Sequence, residues 1–181
     1  MKKHALGLSA FVCLTGIAAL FIATQHVEAQ SGTRAPNQKA APFEVRFWNW
    51  LSKADYGHWA APAGETADDF YPGKSPHGAF IKTHLNRTAA SDSTGLPVGS
   101  VIVKENYNKD KKLMAVTVMY KSKGYDSRHK DWWYAKYMPN GQVATMKMKG
   151  SDKAMKLAGK AKGCIMCHEN ADGDDFVFFN D

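Results

Sequence analysis

Cys164-Ile165-Met166-Cys167-His168, near the C-terminus, is a CxxCH pentapeptide, and it constrains this chain more than any other feature. Two thiols three positions apart are brought to one side by a turn of helix. There each can add to a haem vinyl group, and the imidazole that follows can reach the iron as proximal ligand. Other uses of a CxxC pair need more than the chain offers. Zinc requires two further Cys or His ligands at matching spacing, and none stands out. A thioredoxin-like pair opens a helix within a βαβ pattern, whereas this one follows Lys160-Ala161-Lys162-Gly163 near the end of the chain. The expected cofactor is one covalently attached haem c, bonded through Cys164 and Cys167, with His168 on the iron.

The other end of the chain predicts export. Lys2 and Lys3 precede a mostly apolar stretch, residues 5–23, and Val27-Glu28-Ala29 supplies the small residues behind which a signal peptidase cleaves. A signal peptide over residues 1–29 and a periplasmic location are expected. An uncleaved anchor is the alternative for so long a stretch, but Gly7, Ser9, Thr15 and Gly16 make it a mediocre span. Cys13 lacks small residues just before it, which argues against a lipoprotein. After cleavage Cys164 and Cys167 are the only cysteines, and no structural disulfide is available.

Cleavage removes two lysines and one glutamate, so the formal charge moves from +7 to +6 on the 152 residues left of 181. A chain of that size can bury one core. The lysines from Lys109 to Lys162 are scattered through polar turns and one expected helix face rather than gathered in a groove, and the chain is read as exported. A nucleic-acid partner is therefore not expected. An acidic redox partner fits the charge, as does a solvated lysine-rich surface with no partner.

Residues 30–41 contain Ser, Gly and Pro without periodicity and are expected to be a flexible lead-in; the domain runs over 42–181. Phe43, Phe47 and Leu51 recur every four positions behind Pro42, which predicts a short helix, and Trp48, Trp50, Tyr56 and Trp59 extend an aromatic region. Residues 62–76 are a loop rich in Gly, Pro and Asp. The period then changes. Residues 79–85, 100–107, 113–121 and 131–138 are dense in Val, Ile, Thr, Tyr and Trp and are separated by turn residues, so they predict strands, with 142–148 a further candidate. After Gly150, Ser151 can cap a helix on which Ala154, Leu157, Ala158 and Ala161 share a face, leading into the CxxCH motif. Phe176-Val177-Phe178-Phe179 is a short strand or an aromatic plug. No internal repeat is present.

This layout separates haem-protein architectures. Small electron-transfer cytochromes carry CxxCH near the N-terminus and a methionine ligand downstream, and no methionine follows His168. Four-helix cytochromes c-prime place CxxCH near the C-terminus, but the middle of this chain has strand periodicity. The expected fold class is α+β, mainly an antiparallel sheet with peripheral helices, with haem attached near the C-terminus.

The ordered motifs resemble the cytochrome P-460 and cytochrome c-prime-beta family of periplasmic monohaem proteins. They are Trp48, Tyr56-Gly57-His58-Trp59, Ser75-Pro76-His77-Gly78, Ile81-Lys82-Thr83, the run Gly99-Ser100-Val101-Ile102-Val103-Lys104-Glu105-Asn106-Tyr107, Val116-Thr117-Val118-Met119-Tyr120-Lys121, Asp131-Trp132-Trp133, and CxxCH followed by Asp175-Phe176-Val177-Phe178. The resemblance implies a homodimer with one five-coordinate haem c per chain. In P-460 members a strand lysine matching Lys104 is bonded to a porphyrin meso carbon and hydroxylamine is oxidised. The c-prime-beta relatives lack the cross-link and bind nitric oxide.

Lys104 also stands out without the resemblance. On a strand it shares a face with Ile102 and Asn106, opposite Val101, Val103, Glu105 and Tyr107. An amine among apolar neighbours is desolvated, which lowers its pKa and makes it more nucleophilic; the plain alternative packs its stem on the sheet and sends the ammonium to water. The chain departs from the hydroxylamine-oxidising pattern at the next strand. A catalytic glutamate is implied there, at a position equivalent to Val116 or Thr117, and no carboxylate is present. Glu105 cannot replace it, because adjacent strand residues point to opposite faces.

The remaining candidate ligands have ordinary alternatives. His77 could line the pocket, but a hydrogen bond to loop backbone is the expectation. His58 and His84 could reach iron, although the resemblance implies an open sixth position. Met114 and Met119 are expected in core packing, with Met119 the one candidate for a methionine ligand. Two functions follow: a haem protein that binds or oxidises small nitrogen species, hydroxylamine or nitric oxide, at an open iron, or a monohaem electron carrier with both axial positions filled.

Overall fold

The computed structural model describes residues 40–92, 95–147, 150 and 152–179. The expected signal peptide over 1–29, the lead-in as far as residue 39, and Ser151 lie outside the described residues. The elements in chain order are α1 (Phe43–Leu51), β1 (Tyr71–Pro72), β2 (Phe80–Leu85), α2 (Arg87–Ala90), β3 (Val101–Tyr107), β4 (Leu113–Lys121), β5 (Trp132–Tyr137), β6 (Thr145–Lys147), β7 (Ala154–Lys156), β8 (Ala158–Gly159) and α3 (Lys162–His168). Among the described residues no helix is long and apolar enough to cross a membrane.

Six strands form one sheet in the order β1-β2-β3-β4-β5-β8, and β6 and β7 form a separate pair. Every pairing is antiparallel. The class is therefore α+β, mainly antiparallel, as the strand-rich middle of the sequence predicts. The β2-β3-β4-β5 core follows from the β-branched and aromatic content of those runs, whose alternating side chains pack on both faces of the sheet.

Alternation along β3 divides the interior into two cores. On one face Val101, Val103, Val116, Val118 and Tyr137 are buried against Phe47 and Leu51 of α1. Pro42 starts that helix, its carbonyl accepting from the Val45 and Arg46 amides, and the Tyr137 hydroxyl donates to the Glu44 carbonyl. On the other face Ile102, Met119 and Tyr134 pack with Ala89 of α2, Ile165 of α3 and Val177. Each fully buried side chain of this size contributes ~1.5–3 kcal/mol, so both faces of the sheet are held by burial rather than by propensity alone.

The helix expected after residue 150 does not form. Residues 154–159 run as β7 and β8: Lys156 pairs with Thr145, Gly159 with Tyr134, and the Leu157 amide donates to the Ala144 carbonyl. The apolar spacing fits a helix, but Gly159 adopts φ +83, and glycine inside a helix costs ~1 kcal/mol relative to alanine. The open edge of β5 offers this segment backbone partners, and the pairing also protects that edge. Helical structure begins only at Lys162. The candidate strand 142–148 is shorter than expected, being β6 with an isolated Tyr137–Val143 bridge beside it; Met148 is outside the described residues.

Candidate haem site

Cross-strand register sets one wall of the site. Thr83, Lys104, Thr117 and Lys136 lie side by side across β2, β3, β4 and β5, forming a polar row on the face that carries α3. Beside this row is a cavity of about 640 Å³, whose lining includes Thr83, Lys104, Cys167, His168, Phe178 and Phe179. That volume lies within the ~300–1,000 Å³ of ordinary ligand sites. Sheet, CxxCH helix and C-terminal segment therefore meet at one space.

Helix α3 fixes the pentapeptide. The Cys164 and Ile165 amides both bond the Ala161 carbonyl, and Ile165 and His168 are its buried residues. Cys167 is exposed and on the cavity wall, whereas Cys164 is half-buried against the second core and outside the lining. Burial pushes the Cys164 thiol above its ordinary pKa, so it is held as a thiol at neutral pH. The two sulfurs are free, and no disulfide joins them.

His168 is oriented as a metal ligand. Its Nδ1 lies 2.9 Å from the Phe176 carbonyl oxygen, so that nitrogen carries the hydrogen and Nε2 keeps the lone pair. A second nitrogen tied to a carbonyl is the usual support for a ligating imidazole. Burial, with the Lys104 charge adding to it, pulls His168 below its ordinary pKa against the opposing bond to Phe176, which favours the neutral form that binds metal. Its ring packs against Tyr134 and Phe178, with centroids 5.4 and 5.5 Å away.

The C-terminal segment is the aromatic plug rather than a strand. Asp175 anchors it through Lys121 and the Leu96 amide, and its carbonyl accepts from the Trp132 indole. Phe176 sits at φ +58 with its carbonyl on His168, and the Phe178 carbonyl accepts from Lys104 Nζ at 2.7 Å. The segment forms no ladder because two of its carbonyls hold the side chains expected at the site. Sequence patterning registers its aromatic rings but gives no sign of these backbone roles.

His77 corrects an expectation. It lines the cavity, and its Nδ1 meets side chains, Asn106 Oδ1 at 3.1 Å and Thr117 Oγ1 at 3.2 Å, rather than loop backbone. Asn106 donates its amide hydrogens to the Ala115 and Lys104 carbonyls, so its oxygen accepts from His77 and leaves His77 Nε2 as the lone pair. Burial, then the Lys104 charge, pushes His77 down to about 4. The ring centroid is 6.1 Å from that of His168.

The other candidates stay away from the cavity. His58 is exposed and pairs with Asp55; His84 is buried beneath the opposite face, facing Glu105 and the Tyr56 ring. Met119 is core, as expected, while Met114 is exposed instead of packed. Of the two positions considered for a strand carboxylate, Val116 faces the α1 core and only Thr117 stands opposite Lys104. Glu65, which sequence reasoning passed over, lines the cavity from the loop before β1.

These residues fit a haem. A neutral imidazole with a free lone pair, a thiol on the same wall and a second thiol one helical turn back supply the donor set, and the cavity beside them is walled in part by Phe178 and Phe179. His168 would hold the iron, and Cys164 and Cys167 the macrocycle. A comparison with curated proteins finds no match. Comparison with protein-family models matches Cytochrome P460 over residues 54–179, which takes in the cavity loop, all four long strands and the CxxCH helix. The protein is thus a cytochrome whose cofactor is haem iron, and the chain belongs to the cytochrome P460 family.

Proposed function

We propose that this chain is a periplasmic c-type cytochrome with one haem bonded through Cys164 and Cys167, and that it binds or oxidises small nitrogen species, hydroxylamine or nitric oxide, at an iron position left open by the protein. The observation that carries this reading is the geometry of His168, whose Nδ1 is fixed on the Phe176 carbonyl and whose ring borders a cavity with room beyond it. Bound there, haem supplies a Lewis-acidic iron that also accepts electrons. The chain's residues then divide the remaining work. His168 holds the proximal side, Phe178 and Phe179 exclude water, and Lys104 places an amine in the cavity. Lys104 is the proposed cross-linking residue; its half-buried side chain is held by the Phe178 carbonyl rather than sent to solvent. Homodimerisation and an acidic redox partner for the lysine-rich surface complete the proposal.

A second reading, electron transfer, is favoured by His77. Its imidazole is held neutral in the cavity with Nε2 as the lone pair, so it is equipped to be a sixth ligand. Spectral titration of the haem-bound protein with nitric oxide and with hydroxylamine separates the readings. Prompt, saturable spectral change with both supports the open site; a spectrum indifferent to both supports the carrier.

A further inference from the structure

The cavity contains a carboxylate oxygen with no hydrogen-bond partner. Glu65 borders the same space as Lys104, Cys167 and His168, and its Oε2 is buried without a hydrogen bond from any described residue. Leaving a buried acceptor unsatisfied is costly, more so for a charged one, and a native protein retains such a group where a ligand or solvent completes it. The nearby titratable groups do not remove the need. Lys104 directs its ammonium to the Phe178 carbonyl, His77 is engaged with Asn106 and Thr117, and His168 with Phe176. Tyr71 uses its hydroxyl to accept from the Thr66 amide, and Lys74 lines the same wall.

The position of Glu65 is built rather than incidental. Residues 62–65 form a turn closed by the Glu65 amide on the Pro62 carbonyl at 3.0 Å, and Gly64 supplies the φ of +84 that the third position of a tight turn needs. Immediately after it, the Thr66 amide is fixed on Tyr71 of β1 at 2.8 Å and the Thr66 hydroxyl on Asp69 at 2.8 Å. The carboxylate is thus presented by backbone tied to the edge of the sheet. Burial raises its pKa while the Lys104 charge opposes the rise.

We propose that Glu65 is the residue that makes this cavity select protic nitrogen ligands: its Oε2 accepts a hydrogen bond from an N–H or O–H of hydroxylamine, a bond that nitric oxide cannot donate. It is a hydrogen-bond acceptor presented by a loop, and it leaves strand position 117 without a general base. This rests on the small-nitrogen-ligand reading above, and selectivity is the property it adds.

The test is equilibrium binding, read by haem absorption without oxidant present, of hydroxylamine and of nitric oxide to the haem-bound wild type, Glu65→Gln and Glu65→Leu. A charge-assisted hydrogen bond is being removed, so Glu65→Leu is expected to weaken hydroxylamine binding by about 10- to 100-fold, with Glu65→Gln intermediate and nitric oxide affinity within about twofold throughout. Wild-type affinity for the unprotonated hydroxylamine, with protonation of the ligand itself corrected for, is also expected to fall on acidification through the carboxyl titration, and Glu65→Gln to lose that dependence. Unchanged hydroxylamine affinity in both variants, or equal weakening of both ligands, overturns the role of Glu65 while leaving the open-site reading standing. A wild type that binds neither ligand overturns the open-site reading, and the selectivity with it.

Discussion

Lys104 and Thr117 are direct cross-strand partners on β3 and β4, and the Thr117 hydroxyl donates to the Lys104 carbonyl at 3.3 Å. The neighbouring pair, Glu105 and Val116, faces the other way into the α1 core. The position where a strand carboxylate would sit beside Lys104 is therefore 117.

Thr117→Glu is expected to raise hydroxylamine turnover by about tenfold or more, because a positioned general base contributes ~10²–10⁴ in rate. Val116→Glu buries a charge at a residue 1% exposed and is expected to cost about 3 kcal/mol or more without any gain in activity. Steady-state assays and chemical denaturation of the two variants check the pair. Equal activity gains from both would contradict the register argument.

The same alternation explains what the sequence made legible. Helix α1 and the four long strands carry periodic apolar residues whose burial is repeated several times, so a single misplaced residue does not hide the pattern. Residues 154–161 carry helical spacing too, yet β5 and β6 offered them backbone partners that no local pattern records. Glu65 was invisible for another reason: one glutamate in a loop rich in Gly, Pro and Asp looks solvated until the fold closes the loop over the cavity. His77 shows a third limit, since its partners Asn106 and Thr117 are 29 and 40 residues away.

Beneath the opposite face, Glu105 predicts acid sensitivity. Burial by itself raises this carboxyl, but hydrogen bonds from His84, Tyr107 and Tyr56 outweigh it and hold the pKa below the usual carboxylate value. A lowered folded-state pKa contributes stability that is present above the unfolded value near 4.5 and is lost as pH falls through the folded value. Glu105→Gln is expected to cost about 2–4 kcal/mol at pH 7 and to flatten the fall in melting temperature below pH 4.5. Parallel pH profiles for wild type and variant would show this by their convergence in acid.

Thioether attachment is expected to require both thiols. Replacing Cys164 and Cys167 with alanine in a Lys104→Ala background should release all haem into acidified organic solvent, since His168 alone then provides only a coordinate bond. Lys104→Ala should leave thioether attachment intact and abolish any mass-spectrometric fragment joining the residue-104 peptide to the CxxCH peptide through the macrocycle. Haem retained after extraction by the variant lacking both cysteines and Lys104 would contradict the thioether attachment; separate peptides in the wild-type digest would contradict the cross-link.

The most direct test is the coordination state of the resting haem-bound protein, measured by resonance Raman spectroscopy before and after nitric oxide is added to the reduced form. The account predicts a five-coordinate high-spin iron with His168 as its only protein ligand, and an immediate shift to a nitrosyl spectrum. A six-coordinate low-spin spectrum that reverts to high spin in His77→Ala would contradict it, and would identify the cavity histidine as the second axial ligand of an electron carrier.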